Sequence, residues 1–162
     1  MRSPFKIMGA GLALGLCLGV ACSDGPDCGP TEAVVARVID GDTIELESGE
    51  RVRYLLVDTP ELSGGGECYG LEAAEFNRSA VEGKTVTLSY DTECTDDFDR
   101  LLAYVALLDG RLVNEVLLER GLACVLHIPP NGEDRVDEFR SIEAQARAGQ
   151  NGLWGMCTEA PC

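Results

Sequence analysis

Two short stretches of this chain hold acids at a spacing that could do chemistry. In "VIDGDTIEL", residues 38–46, Asp40 and Asp42 stand either side of a glycine between β-branched and aliphatic runs. In "VDTPE", Asp58 and Glu61 close another apolar run, and Arg53 lies five positions before Asp58. Arg100 follows three acids in "DDFDRLLAYV". Carboxylates at the ends of adjacent strands are hard oxygen ligands for Mg²⁺ or Ca²⁺. A further carboxylate can abstract a proton, and two guanidiniums can grip a phosphate through forked contacts. Those parts together make a kit for phosphodiester cleavage. The same residues also read as turn chemistry. Asp-Gly between alternating apolar runs is the strongest short-range hairpin signal, and Pro60 can simply end a strand with Glu61 left in water.

The elements that must position these side chains follow from the apolar pattern. "AVVARVI", "TIELE" and "RVRYLLV" are strand-like runs separated by Asp-Gly and Ser-Gly-Glu turns, so they predict a β-meander from Ala33. A glycine-rich loop, "TPELSGGGECYG", leads to "LEAAEFNRSAVEG", where Leu71, Ala74, Phe76 and Ala80 fall near helical spacing and Gly83 supplies the stop. "KTVTLSY" and "RLLAYVALL" predict two more strands around an acidic loop, "DTECTDDFD". "LVNEVLLERG" predicts a helix with Leu112, Val116 and Leu117 inward and Gly121 at its end. "LACVLHI" is a short apolar strand, and "EDRVDEFRSIEAQARAG" a last amphipathic helix. Strands and helices without strict βαβ alternation indicate α+β. The odd spacing of Arg53 and Asp58 sends them to opposite faces of a regular strand, so a bulge or a strand end between them is required if they are to meet.

Composition narrows the setting. Arg2 and Lys6 precede an apolar run from Ile7 to Ala21, which is too short for a span of about 20 residues and reads as an export signal over residues 1–21. Ala21-Cys22-Ser23 resembles a lipoprotein cleavage site, in which Cys22 would carry the lipid and anchor the protein to a membrane at the periplasmic or cell surface; ordinary secretion is the alternative. Residues 22–32, rich in Gly, Pro and Asp, read as a linker, residues 33–157 as one domain and 158–162 as a tail. Cleavage ahead of Cys22 leaves 141 residues, enough for a core of their own. Those residues hold 28 acids against 11 bases, a net charge of −17, and every base but Lys84 is arginine. Such a chain repels polyanions at long range, which any nucleic-acid reading must overcome.

Once Cys17 leaves with the signal and Cys22 takes lipid, six cysteines remain: Cys28, Cys68, Cys94, Cys124, Cys157 and Cys162. An even set in an exported chain argues for disulfides. A zinc site is disfavoured, because there is no C-x-x-C pair and His127 is the only histidine. Six cysteines allow 15 pairings. The loop positions lead us to expect Cys68–Cys94, Cys124–Cys157 and a terminal Cys28–Cys162 staple.

"VIDGDTIEL", "RYLLVDTPE", "DRLLAYV", "LVNEVLLERGLA" and "RSIEAQARAGQNGLW", in that order, resemble the staphylococcal nuclease (thermonuclease) family from about Val34 to Trp154. The resemblance implies a five-stranded OB-type β-barrel with three α-helices, acting as a monomer on single-stranded or flexible DNA and RNA with Ca²⁺. It assigns Asp42 and Asp58 as side-chain ligands of Ca²⁺, the Thr59 carbonyl as a third ligand, and Asp40 to an outer place near the metal. Glu61 matches the general base, and Arg53 and Arg100 match the pair of arginines that hold the phosphate.

The chain departs from the family on the substrate side. Asp97-Phe98-Asp99 stand where the family has Lys-Tyr-Gly, and His127 stands where it has a tyrosine. Phe98 is therefore a candidate substrate contact, and His127 is either a nucleotide contact or a surface residue at a strand end. These changes weaken phosphate attraction and predict low affinity with steep salt dependence, or a requirement for millimolar Ca²⁺. A calcium-binding OB module of little or no catalytic power is the alternative function.

Overall fold

The structure, a computed structural model, describes residues 27–161. The expected export signal, Cys22 and Cys162 lie outside the described residues. Strands β1 (Glu32–Val38), β2 (Thr43–Leu46) and β3 (Arg51–Tyr54) form the expected meander. A two-residue strand, β4 (Val57–Asp58), follows, and then helix α1 (Gly70–Val81). Next come β5 (Thr85–Thr95), β6 (Leu101–Ala106), helix α2 (Val113–Glu119) and β7 (Cys124–Val125). Helix α3 (Val136–Ala148) and a single turn, α4 (Leu153–Met156), complete the order. The sheet closes as a five-stranded barrel, β1-β2-β3-β6-β5, with β1 returning to pair with β5. The α+β class is as the pattern predicts, and the five-stranded barrel with three substantial helices is as the family resemblance implies.

Alternation fills the barrel. Ile44 and Leu46, Val52 and Tyr54, Val86 and Leu88, and Ala103 and Val105 point inward and are buried, and an irregularity between Val35 and Arg37 lets Val35 and Val38, three apart, do the same. Leu117 and Leu118 of α2 and Phe139 of α3 are fully buried and belong to the same core. Truncating such a side chain to alanine typically costs about 2–5 kcal/mol.

The sequence pattern misjudges several details. Helix α1 buries Gly70, Ala73, Ala74, Asn77 and Val81, while Leu71 is exposed and Phe76 and Ala80 are half-buried. The helix is rotated because an inward polar residue, Asn77, accepts the Tyr54 hydroxyl at 2.9 Å and donates to the Asp40 carbonyl at 3.2 Å. Helix α2 likewise buries Val113, Asn114, Leu117 and Leu118 in place of Leu112 and Val116. "DTECT" belongs to β5 and not to a loop. Asn131 acts there as a substitute strand partner, bonding both the N–H and the carbonyl of Glu93 at 2.7 and 3.0 Å.

The disulfide pairing is corrected throughout. Cys28 pairs with Cys94 and Cys68 with Cys157, with Cα atoms 5.1 and 5.9 Å apart. Cys124 is disulfide-bonded too, though not to Cys157. The antiparallel register of β1 on β5, Glu32 opposite Thr87, carries the residues before β1 back along β5 toward Cys94. Pairing follows this approach of Cα atoms rather than the loop positions the sequence offers.

Candidate active site

The third apolar run is where the chain breaks in order to build a site. "RVRYLLV" is continuous in hydropathy, yet β3 ends at Tyr54 and Leu56 takes a left-handed φ of 62°. That conformation is uncommon and strained for a leucine, so neighbours must hold it. Leu55 donates its N–H to the Ala103 carbonyl at 3.0 Å, and the Asn114 side chain donates to the Leu55 carbonyl at 2.9 Å. The kink throws β4 out of the barrel to pair with β7, Asp58 opposite Cys124. It also supplies the interruption that the odd spacing of Arg53 and Asp58 requires. Arg53 Nη2 lies 2.6 Å from Asp58 Oδ1.

The first acidic stretch is a turn and a hub at once. Asp40 Oδ1 accepts the Asp42 N–H at 3.1 Å, closing a tight Asx turn, and the Ile39 N–H reaches the Thr43 carbonyl at 2.9 Å. Gly41 is needed for a close approach, since a Cβ there would meet the Thr59 side chain at 2.6 Å. Thr59 thereby reaches Asp42. Its N–H and its hydroxyl both donate to Asp42 Oδ2, at 2.7 and 3.0 Å, while the Thr43 hydroxyl donates to Oδ1 at 3.1 Å. Asp42 is only 3% exposed, and its charge is met by Arg53 Nη1. One guanidinium thus bridges two carboxylates, one buried and one half-exposed.

Arg53 arrives there through register. Val52 and Tyr54 face the core, so Arg53 faces out, opposite Thr43 of β2 and Leu102 of β6. Strand β6 runs parallel to β3, and Arg100 immediately precedes it. Arg100 is held by Asp96 Oδ2, with both Nε and Nη2 at 2.7 Å, and its guanidinium lies 5.6 Å from the centre of the Phe98 ring. Both arginines line a cleft of about 360 Å³. Its lining is in part apolar, with Leu56, Leu102, Leu126 and Ile128, and in part acidic, with Glu93, Asp96 and Asp97. Phe98, 69% exposed, also lines it.

The electrostatics follow burial and partners. Burial raises the Asp40 carboxyl above the usual range, opposed by hydrogen bonds from Thr43 and by the charges of Arg53 and Arg100. Burial also acts to raise Asp96, but hydrogen bonds from Arg100 and from the Phe98 N–H outweigh it and hold that carboxyl below its ordinary value. Burial drives the Tyr54 phenol far above its normal value, so it remains a neutral hydroxyl for Asn77.

The candidate residues do not all gather. Asp42, Arg53, Asp58 and Thr59 form one bonded cluster, and Asp40 and Arg100 act on each other through charge beside it. Glu61 is exposed and does not line the cleft. Its backbone is nevertheless fixed, because its N–H donates to Glu67 Oε2 at 2.9 Å and its carbonyl accepts the Glu67 N–H at 2.8 Å. Its carbonyl also lies where a Cβ on Gly70 would come to 2.8 Å, and Cys68–Cys157 ties down the same loop. His127 lies between the cleft-lining Leu126 and Ile128 but does not line the cleft, and its buried Nε2 is 3.9 Å from Glu133. Sequence reasoning missed Asn77, Asn114 and Asn131, three buried amides that fix the turn, the kink and the cleft wall. The available signal was an amide at an apolar position, as with Asn77 between Ala73 and Val81 on the helical period.

Among the described residues, no three His, Cys, Asp or Glu side chains gather as a group able to hold a metal. The two carboxylates that meet on Arg53 are nonetheless hard oxygen donors of the kind calcium takes. Their chemistry fits that ion, with backbone carbonyl and water left to complete a shell of about six to eight oxygens.

Residues 51–156 match the family model described as staphylococcal nuclease homologue. The chain is 39% identical over 125 residues to Endonuclease YncB of Bacillus subtilis, covering 73% of this chain and 59% of that protein. It is 35% identical over 130 residues to the SPbeta prophage-derived endonuclease YokF of the same organism, covering 76% of this chain and 44% of that protein. It is 37% identical over 127 residues to the Thermonuclease of Staphylococcus intermedius, covering 75% and 74%. The chain therefore spans about half the length of the first two.

Proposed function

The chain belongs to the staphylococcal nuclease family, and from that premise we propose that it hydrolyses phosphodiester bonds of DNA and RNA, with Ca²⁺, outside the cytoplasm. The observation that carries this reading is the single guanidinium of Arg53 spanning Asp42 and Asp58 at a cleft shared with Arg100. Relatives named endonuclease and thermonuclease support it. Export is supported by the disulfides, which persist in oxidising compartments.

Asp42 and Asp58 would hold Ca²⁺, with the Thr59 carbonyl, and Asp40 would stand outside them. When bound, calcium supplies positive charge that favours a phosphate gaining negative charge. Arg53 and Arg100 hold the non-bridging oxygens, and their fork-shaped contacts tighten as those oxygens gain charge. To do so each must loosen its present carboxylate partner, Asp42 and Asp58 for Arg53 and Asp96 for Arg100. Glu61, in water on a loop fixed at Glu67, Gly70 and Cys68, takes the proton of the attacking water. The exposed Phe98 ring offers a face for a nucleobase in the cleft. Single-stranded or flexible substrates are expected, and the acids lining the cleft predict weak binding.

A second reading, a calcium-binding OB module with little turnover, draws on the fact that both arginines already carry carboxylate partners. Incubation of the mature domain with single-stranded DNA and RNA in calcium and in EGTA separates the two. Degradation in calcium alone is expected. Intact substrate together with a calcium-induced rise in melting temperature would leave only the binding module.

A further inference from the structure

Acids so outnumber bases in this protein that nearly every cation is matched to a carboxylate. Arg37, Arg53, Arg78, Arg100, Arg111, Arg135, Arg140 and Arg147 each have a carboxylate within 4.0 Å. Among the described residues only Arg51, Lys84 and Arg120 do not, and Arg51 still acts electrostatically on Glu45. The other two line the same recess of about 230 Å³, between α1, α2 and the start of β5. Lys84 Nζ donates to the carbonyls of Ser79 and Ala80 at 2.7 and 2.9 Å, in the last turn of α1, so it caps the negative end of that helix and has no carboxylate partner. The Arg120 guanidinium lies 4.7 Å from the centre of the Phe76 ring, stacked and not ion-paired. Stacking leaves its N–H edges available to an acceptor. Phe76, Leu107 and Val116 give the recess an apolar floor. Arg111 also lines the recess, but it is already paired with Asp109, and Glu119 acts on it as well.

Two unmatched cations over an apolar floor, in a molecule that matches almost all its others, recognise a particular chemistry. We propose that this recess binds a phosphate monoester carried on an apolar or aromatic body, as a nucleoside monophosphate is. The phosphate meets Lys84 and Arg120, and the body rests on Phe76, Leu107 and Val116. The recess opens at the Lys84 end of β5, whereas Glu93 and Thr95, at the other end of that strand, line the cleft. At a rise of about 3.3 Å per residue the two are some 30 Å apart along the strand. The recess is thus a site distinct from the cleft, and its occupation does not depend on the cleft hydrolysing anything.

The test is titration of ¹⁵N-labelled mature protein, in EGTA, with adenosine 5′-monophosphate and separately with inorganic phosphate. The nucleotide is expected to move the backbone resonances of residues around Phe76, Lys84 and Arg120, and to bind more tightly than inorganic phosphate. Arg120→Gln, at an exposed position that leaves the Lys84 contacts to α1 in place, should weaken binding about fivefold, the upper range for a partly exposed charge pair. Lys84→Arg should retain it. The Arg120→Gln spectrum away from the recess reports whether the variant is folded. Unmoved recess resonances, or binding unchanged in Arg120→Gln, would overturn the site. Equal affinity for inorganic phosphate would overturn the organic half of the proposal. Because cleft chemistry is silenced in EGTA, a negative result here leaves the nuclease reading standing, and an inactive cleft leaves this one standing.

Discussion

The acid–arginine cluster and the Glu61 loop lie three residues apart in sequence, at Asp58 and Glu61, and are held by opposite means. The cluster is largely buried and wired through side chains: Thr59 on Asp42, Arg53 on Asp42 and Asp58, and Asn77 behind Asp40. The loop is exposed, and backbone bonds to Glu67, a close approach at Gly70 and the Cys68–Cys157 bridge hold it. Groups that must keep charge in place in the free protein take low-dielectric positions with full hydrogen bonding. The proton acceptor proposed at Glu61 must meet water, and there the chain uses covalent and main-chain restraint in place of burial.

If this contrast is right, changes in the two regions separate chemistry from stability. Glu61→Gln should have the largest effect on turnover, about 10²–10⁴-fold, with an unchanged melting temperature, measured as the initial rate on single-stranded DNA beside a thermal melt. Arg53→Lys and Arg100→Lys should each lose about 10²–10³-fold, since an ammonium cannot reproduce the forked contact. Replacing Cys68 and Cys157 together by serine should lower stability by about 2–4 kcal/mol in denaturant unfolding and reduce turnover through the Glu61 loop. Thr59→Val keeps the N–H bond to Asp42 but removes the hydroxyl, so a smaller loss of about 1 kcal/mol is expected by the same assay.

The smallest effect belongs to Asp96. Its folded pKa is depressed, so its pairing with Arg100 stabilises above the ordinary carboxylate range and is lost as pH falls through the depressed value. Asp96→Asn should therefore be less stable than the parent at neutral pH, with the two converging in strong acid.

What could be read in the sequence was whatever local patterns encode. The meander, the barrel's alternation and the Asp40–Asp42 turn are local, and the odd spacing of Arg53 and Asp58 shows that the strand must break if the two are to meet. How it breaks was hidden. Leu56 adopts its left-handed conformation only because Asn114 and Ala103, distant in sequence, hold Leu55. The rotation of α1 was hidden for a related reason, since Asn77 counts as polar in any periodic pattern although its partners lie inside. Disulfide pairing was the furthest from view, because it depends on which loops the barrel brings within reach. The roles expected of Glu61 and Thr59 rest on family resemblance, since an exposed acid and a backbone carbonyl carry no local signal of their own.

The central claim is that the carboxylates meeting on Arg53 hold the cation that hydrolysis needs. The calcium dependence of the initial rate on single-stranded DNA, compared between the parent and Asp58→Asn, tests it most directly. Asp58 is half-exposed, so this change leaves the buried Asp42–Thr59 hub intact. We predict a folded variant with a severely reduced rate and a calcium requirement displaced to higher concentration. A rate and a calcium curve identical to the parent's would contradict the account.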